Sequence, residues 1–205
     1  MGLYHHCIFP CLLDVAMGSR VFVQPRRRTL ARAQGRILEI SFGTGRNMPH
    51  YPASVQRIEA IDPDVDLDRY SAPRIAAAAI TVDFHHLDAE HLPFADEQFD
   101  TVVCTLTLCS IPDVMLALRE VKRVLKPGGQ FLFLEHGLAP DPTVARWQHR
   151  LNPLQMRLGG GCHLTRDTLQ LVRQAGLRVG DFQQYYLRRV PRFAGYLNEG
   201  FATRA

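Results

Sequence analysis

The chain has 205 residues, of which 46% are hydrophobic, enough for one globular domain with a sizeable core. A net charge of +4 is too small by itself to indicate nucleic-acid binding, and no apolar run reaches the ~18–20 residues that span a bilayer. Five cysteines without paired spacing favour free thiols and predict a reducing, cytoplasmic location.

The amino-terminal part predicts two helices, over residues 3–18 and 26–34, that precede a sheet. Arginines are concentrated between residues 20 and 36, with Arg26, Arg27 and Arg28 in succession. This basic segment has two readings: a solvated helix face, or a contact with an anionic substrate or membrane.

Five short runs rich in β-branched and apolar residues follow, separated by segments long enough to hold helices. The runs are ILEI, RIEAI, TVDFHHL, FDTVVCTL and GQFLFLEH. Strands that alternate with helices predict an α/β fold with a parallel sheet. Helices are expected over Val114–Leu125 and over residues 165–175, the second with Thr165 as its N-cap. Two last strands, within RVGDFQQYYL and RFAGYLNEGFA, are predicted to pair antiparallel.

The first run leads into a glycine-rich turn, Ser41-Phe42-Gly43-Thr44-Gly45. Glycines in such a turn let the backbone approach a ligand closely, but the third glycine of a dinucleotide fingerprint is missing. Glu39 stands at the strand end, where it would repel a pyrophosphate. A nucleoside ligand with a free ammonium suits this acid better, and S-adenosylmethionine is such a ligand.

Longer segments resemble the successive motifs of class I S-adenosylmethionine-dependent methyltransferases. They are LEISFGTGRN, IEAIDPD, LDAEHLPFADEQFDTVVCTLTLCSIPD and LREVKRVLKPGGQFLFLEHG. CTLTLCSI, LEHG and GGCHLTRDT are most similar to the thiol methyltransferase-like branch, with small-molecule and phospholipid N-methyltransferases as neighbours. The resemblance covers roughly residues 30–200 and implies a Rossmann-like sandwich whose mostly parallel sheet has an antiparallel last strand.

The resemblance also implies the cofactor-binding positions. Glu39 would face the methionine ammonium, and the backbone of Gly43 and Gly45 would pass the methionyl and ribose parts. Asp62, at the end of the second strand, would accept hydrogen bonds from the ribose hydroxyls.

The remaining cofactor contacts follow the third and fourth strands. Asp88 and the backbone of Ala89 would bind the adenine, and Thr105 and Leu106 would border the methionyl portion.

Ser41 departs from the family pattern, which usually has glycine at this position. If its φ is positive, the strain is of order 1 kcal/mol, and cofactor binding is weakened rather than abolished. Ser41 therefore leaves open a methyltransferase-fold protein that binds the cofactor without turnover.

His136 follows the fifth strand at the edge where ligands bind in open α/β sheets, so it is the candidate catalytic residue. It either takes a proton from a thiol or amine as a general base or only shapes the pocket. Cys109, Cys162 and His163 lack metal-ligand spacing, so no metal is predicted.

Together these features predict one methyltransferase domain over residues 1–205, in which residues 1–34 form helices that can cover the site as a lid. The predicted activity is methyl transfer from S-adenosylmethionine to a small-molecule thiol or amine, with no nucleic-acid partner. Methylation of a phospholipid headgroup, with peripheral membrane contact, is the alternative, and the oligomeric state stays open.

Overall fold

The computed structural model of the protein describes residues 2–204. In it, seven short apolar runs form the strands of one sheet. The β-branched and aromatic residues of these runs suit a pleated, buried surface. The strands are β1 (Ile37–Ile40), β2 (Arg57–Ile61), β3 (Thr81–His85), β4 (Phe99–Thr105), β5 (Leu125–His136), β6 (Arg178–Tyr186) and β7 (Tyr196–Thr203).

Six α-helices connect or precede these strands. They are α1 (Phe9–Met17), α2 (Val23–Leu30), α3 (Asp68–Ala76), α4 (Val114–Val124), α5 (Pro142–Leu158) and α6 (Thr168–Gln174). A π-helical turn, Tyr4–Ile8, leads into α1, and a 3₁₀ turn, Arg20–Phe22, leads into α2.

The strand order is β3-β2-β1-β4-β5-β7-β6, and β1 to β5 are all parallel. β7 runs antiparallel to both of its neighbours, β5 and β6. The Rossmann-like α/β fold with an antiparallel last strand is thus confirmed. The order reverses direction at β1 and β4, and ligands of open α/β sheets bind beyond the carboxyl ends of such strands.

Alternate residues of the central strands face two apolar layers, as strand geometry requires. In β5, Phe131 and Phe133 pack with Leu118 of α4 on one face of the sheet. Leu132 packs with Leu30 of α2 on the other. Because both faces are covered, polar ligands can reach the sheet only at its edges or at its strand ends.

The predicted helix before β6 begins later in the structure than the sequence indicated. α6 starts at Thr168, and its cap is Asp167, whose side chain accepts a hydrogen bond from the Gln170 backbone N–H at 3.0 Å. Thr165 is therefore not the N-cap. Both residue types cap helices well, so sequence preference alone did not separate them.

The first amino-terminal helical segment, Tyr4–Met17, lies close to its predicted range, whereas α2 covers Val23–Leu30 instead of residues 26–34. A sharp bend separates the two. Within residues 2–204, no single helix combines the length and apolar composition needed to cross a membrane. The segments Tyr4–Met17 and Arg20–Leu30, bent by 52°, meet that requirement only when taken together.

Candidate active site

The glycine-rich turn leaves β1 in a left-handed backbone conformation. Gly43 and Gly45 have φ values of 59° and 75°, which glycine adopts without steric cost. A Cβ added at Gly43 would meet only the Ser41 carbonyl oxygen, 3.9 Å away. The space beside Gly43 is therefore open, as a ligand passing close to this backbone requires.

Two residues without glycine's freedom share this conformation. Ser41 has a φ of 51°, and Leu106, at the end of the neighbouring β4, has a φ of 59°. Each costs about 1–2 kcal/mol in local strain. Strained residues of this kind cluster at functional sites, and these two lie at the ends of adjacent strands.

Glu39 is buried at the end of β1 and is held by two side chains. Asn47 Nδ2 donates to one carboxylate oxygen at 2.9 Å, and the Tyr51 hydroxyl donates to the other at 2.6 Å. Burial raises the pKa of Glu39 to about 7, against the opposing effect of these hydrogen bonds. No cation pairs with it directly within residues 2–204, so it suits a ligand that brings a positive charge.

Asn47 connects Glu39 to the amino-terminal helices and to β4. Its carbonyl oxygen accepts from Arg26 Nε at 3.0 Å, and its amide also donates to Thr105 Oγ1 at 2.9 Å. Burial lowers the pKa of Arg26 to about 10. The sequence analysis did not identify Asn47, Tyr51 or Arg26, although Asn47 lies in the segment that carries the glycine turn.

Asp62 follows β2 and braces the glycine turn. Its carboxylate accepts the backbone N–H of Gly43 at 2.7 Å and that of Asp64 at 2.9 Å. Burial raises the pKa of Asp62 to about 6. Each carboxylate oxygen has a further lone pair, so Asp62 can also accept the hydroxyl hydrogens of a ribose.

Asp88 lies on the surface after β3, with the buried Ala89 beside it. One carboxylate oxygen accepts the backbone N–H groups of Glu90 and His91, each at 2.9 Å. The other oxygen has no hydrogen-bond partner in the part of the chain that the structure describes. Asp88 therefore caps a turn and still offers one oxygen to a ligand.

His136 ends β5, and its Nε2 lies 2.9 Å from Cys162 Sγ. Contact with Cys109 and burial raise the pKa of the Cys162 thiol, which favours the neutral thiol, and as a thiol Cys162 donates to His136 Nε2. The other ring nitrogen, Nδ1, is then the protonated one. It is buried and finds no partner among the described residues.

Two buried polar side chains hold the backbone near His136 in place through hydrogen bonds. The buried Glu135 carboxylate accepts the Thr107 backbone N–H at 2.9 Å from each oxygen, and burial raises the pKa of Glu135 to about 6. Gln148 of α5 donates to the Gly137 carbonyl at 2.9 Å and accepts from the Ala139 N–H at 2.8 Å. Neither Glu135 nor Gln148 was predicted from the sequence.

The amino-terminal segment runs along this edge of the sheet. The Tyr4 hydroxyl donates to the Leu158 carbonyl at 2.7 Å, and the Phe9 ring packs against Gly160. Further along, Asp14 of α1 accepts hydrogen bonds from Arg46 and Arg74. This segment therefore connects the turn after β1 with the loop after α5.

A depression of about 750 Å³ lies at the opposite side of the sheet, where the strands begin. Gln34, Arg36 and Gln56 line it, at the amino ends of β1 and β2. Glu59 is the one acid among its lining residues, and ligands of such sheets bind at the carboxyl ends. The carboxyl edge is therefore the candidate active site.

This chain is similar to known methyltransferases. A family model described as "Methyltransferase domain" matches residues 38–133. Thiol S-methyltransferase TMT1B of Homo sapiens is 32% identical over 181 residues, which are 83% of this chain and 69% of that protein. The rat protein of the same name is 36% identical over 149 residues, covering 68% of this chain and 58% of its own length.

A bacterial relative and a solved structure extend the comparison. Phosphatidylethanolamine N-methyltransferase of Cereibacter sphaeroides is 30% identical over 153 residues, with 72% of this chain and 74% of that protein covered. The crystal structure of the YcgJ protein from Bacillus subtilis superimposes with a TM-score of 0.67 and 26% identity, covering 80% of this chain and 71% of that one.

Proposed function

The chain belongs to the S-adenosylmethionine-dependent methyltransferases, and we propose that it methylates a small-molecule thiol or amine. The observation that carries the proposal is the pair of buried acids, Glu39 and Asp62, on either side of an open glycine turn. Burial raises the pKa of both acids, and no cation of the described chain forms an ion pair with either. A ligand with an ammonium and two hydroxyl groups supplies what they lack.

In this proposal the strand ends hold S-adenosylmethionine in the order that the sequence predicts. Glu39 binds the ammonium, Asp62 the ribose, and Asp88 with Ala89 the adenine, while Thr105 and Leu106 border the methionyl part. The cofactor supplies an activated methyl group: the acceptor's lone pair forms the new bond to carbon as the carbon–sulfonium bond breaks and S-adenosylhomocysteine leaves. The protein's task is alignment and exclusion of water.

The acceptor side is supported by the surroundings of His136. His136 is half-buried, with Cys162 and the loop that carries Cys109 beside it, and an acceptor that displaces the Cys162 thiol reaches Nε2. A thiol must lose its proton to become a good nucleophile, and His136 is the nearest candidate to receive it. The thiol S-methyltransferases among the relatives agree with sulfur as the acceptor.

The amino-terminal segment fits the role of a lid. Tyr4 and Phe9 contact the loop around Gly160, and Asp14 fixes α1 to the glycine-turn side through Arg46. Opening these contacts would admit substrates, and closing them would exclude water.

A second candidate function is methylation of a lipid amine at a membrane surface. α1 and α5 expose large apolar side chains, and their ends meet at the Tyr4–Leu158 contact. These side chains are Leu12 (54% exposed), Val15 (69%), Trp147 (52%) and Leu154 (55%). The phosphatidylethanolamine N-methyltransferase relative agrees with this alternative, in which the apolar face contacts the bilayer.

The cysteines support work in a reducing compartment such as the cytoplasm. All five are free thiols, and Cys7 and Cys11 are exposed. Exposed free thiols persist where the medium keeps them reduced.

One experiment separates these functions. The purified protein is incubated with S-adenosylmethionine and, in turn, a small aliphatic thiol, a small amine and phosphatidylethanolamine vesicles, and S-adenosylhomocysteine release is measured. We expect turnover with the thiol or amine. Turnover with vesicles alone would establish the lipid alternative. Cofactor binding by calorimetry without turnover on any acceptor would contradict both.

A further inference from the structure

Three soft ligand atoms meet on the acceptor side of the site. The sulfur atoms of Cys109 and Cys162 and a ring nitrogen of His136 all lie within 4.8 Å of one another. Cys109 and Cys162 are buried, and His136 is partly buried. They come from two loops and from the last residue of β5, so their sequence spacing does not reveal them.

The backbone holds these loops together before any ligand binds. The His163 N–H donates to the Cys109 carbonyl at 2.9 Å, which fixes the segment after α5 to the loop after β4. Gly160 and Gly161 have φ values of 60° and 83°, and this turn directs Cys162 back towards His136. The cluster is therefore part of the fold.

We propose that Cys109, His136 and Cys162 bind one Zn²⁺ ion and leave a fourth coordination position open for the acceptor. Zn²⁺ displaces the protons of both thiols into water as it binds. Two thiolates and an imidazole are ligands that zinc prefers, and three protein ligands with one open position are typical of catalytic zinc sites. Around tetrahedral zinc, such ligand atoms lie roughly 3.5–3.8 Å apart. The present separations, from 2.9 Å to at most 4.8 Å, require only small side-chain movements.

This inference rests on the proposed function and gives it a mechanism for thiols. An acceptor R–SH binds through sulfur at the open position, and its proton passes to water, so the sulfur becomes a zinc-bound thiolate. Zinc stays divalent, and nothing is oxidised or reduced. In this arrangement His136 is a metal ligand that positions the ion, and the ion replaces it as the group that deprotonates the thiol.

The position of the cluster suits this task. Cys109 lies in the loop that leaves β4 just after Thr105 and Leu106, the residues assigned to the methionyl part. The Phe9 ring of the amino-terminal segment covers Gly160 above the loop that carries Cys162. A thiolate held there faces the reacting end of the cofactor and is shielded from water.

A second group of metal-ligand atoms, on Asp88, Glu90 and His91, provides an internal comparison. Asp88 and His91 are exposed, and the Asp88 carboxylate already accepts two backbone hydrogen bonds. Hard, solvated carboxylates bind zinc less tightly than buried thiolates. His91→Ala therefore serves as a control for adventitious surface binding.

The test begins with metal content. The protein is stripped with a chelator, kept reduced with a phosphine, and titrated with Zn²⁺ by calorimetry; bound metal is counted by mass spectrometry. We expect one tight ion per chain. Cys109→Ser and Cys162→Ser should each weaken binding by at least ~100-fold, while His91→Ala and Cys7→Ser should leave it unchanged.

Co²⁺ in place of Zn²⁺ reports on the ligands directly. We expect thiolate-to-cobalt charge-transfer absorption and intense visible bands, as tetrahedral sulfur coordination requires. Mercaptoethanol should change this spectrum, and ethylene glycol should not. S-adenosylhomocysteine binding within twofold of wild type shows that a variant is folded.

These readouts do not depend on turnover, so they separate the inference from the proposed function. Tight binding that survives Cys162→Ser, or no stoichiometric binding at all, would overturn the zinc site and leave methyl transfer standing. Stoichiometric zinc in a protein without methyltransferase activity would keep the site and reject the proposed function.

Discussion

The backbone N–H of Gly43 donates to the carboxylate of Asp62 across 2.7 Å. This bond joins the turn after β1 to the end of β2, so one side chain both shapes the turn and faces the space beside it. A ligand that lies over Gly43 therefore also contacts Asp62. Substitutions at Asp62 should lower the affinity for the ligand more than they lower the stability of the fold.

Asp62→Ala should weaken S-adenosylhomocysteine binding by about 1.5–3 kcal/mol, the usual value of hydrogen bonds to a charged group. Asp62→Asn, which keeps one acceptor oxygen for Gly43, should lose less. Calorimetry measures both, and thermal unfolding checks that the fold survives. An unchanged dissociation constant for Asp62→Ala would mean that the ribose is held elsewhere.

Stability of the ligand-free protein should fall as pH rises from 5 to 8. The pKa of Glu39 is about 7 in the folded protein, against an ordinary value of 4.5. Between those values the folded state keeps a proton that the unfolded chain has released, so raising the pH favours unfolding, by up to about 3 kcal/mol. Asp62, with a pKa of about 6, acts in the same direction.

Binding should show the opposite trend, since only ionised Glu39 attracts an ammonium. S-adenosylhomocysteine affinity should therefore rise between pH 5 and 8. Glu39→Gln should reduce the pH dependence of both the stability and the S-adenosylhomocysteine affinity, and it should weaken binding at pH 8. Urea unfolding at several pH values measures the stability, and calorimetry measures the affinity. Identical pH profiles for wild type and Glu39→Gln would show that Glu39 does not titrate in this range.

Ser41→Gly should stabilise the protein by about 0.5–1 kcal/mol, because glycine relieves the left-handed strain at φ 51°. Ser41→Val should cost about 1–2 kcal/mol, since a β-branched side chain tolerates this conformation poorly. Urea denaturation gives both free energies. Equal stabilities for the two variants would mean that the turn relaxes around residue 41.

Asp14→Ala should loosen the lid, because Arg46 and Arg74 lose their shared carboxylate. Dissociation of S-adenosylhomocysteine should accelerate by about 3–10-fold, the value of one or two partly exposed ion pairs. Stopped-flow fluorescence measures the rate. His6→Ala, which breaks the more exposed pair with Asp66, is the matched control and should change it little. A lid that does not gate the cofactor would give equal rates.

His136→Ala should lower methyl transfer by about 10²–10⁴-fold, whether the residue acts as a base or as a zinc ligand. The affinity for S-adenosylhomocysteine should stay within about twofold of wild type, because the proposed cofactor residues lie on earlier strands than His136. His149→Ala, an exposed histidine on α5, is the control. Full activity, or loss of cofactor binding, would remove His136 from the acceptor side.

Local patterns in the sequence predicted the strands well. β1 and β2 coincide with the runs ILEI and RIEAI, because apolar strands buried on both faces have distinct ends at polar residues. The cap of α6 was misplaced, since Thr165 and Asp167 both satisfy the cap preference. Only the tertiary position of the chain decided between them.

The site could be predicted only where its residues lie at strand ends. Asp62 and His136 were predicted as candidates from their places at strand ends: Asp62 follows β2, and His136 is the last residue of β5. Tyr51 and Arg26 were missed, since each reaches Glu39 or its partner Asn47 from an element that has no motif of its own. A metal site with Cys109 and Cys162 was considered and set aside, because metal-ligand spacing describes ligands on one loop or helix, and these lie on two.

The matched methyltransferase segment, residues 38–133, ends before His136 and Cys162 and begins after Asp14. Of the proposed acceptor-side residues, His136 and Cys162 thus lie outside the segment that holds the proposed cofactor residues, whereas Cys109 lies within it. Over evolution, the flanking segments can therefore change, and with them the methyl acceptor, while residues 38–133 keep binding the same methyl donor. A chimera that takes residues 38–133 from this protein and the flanking segments from a relative should therefore inherit the relative's choice of substrate.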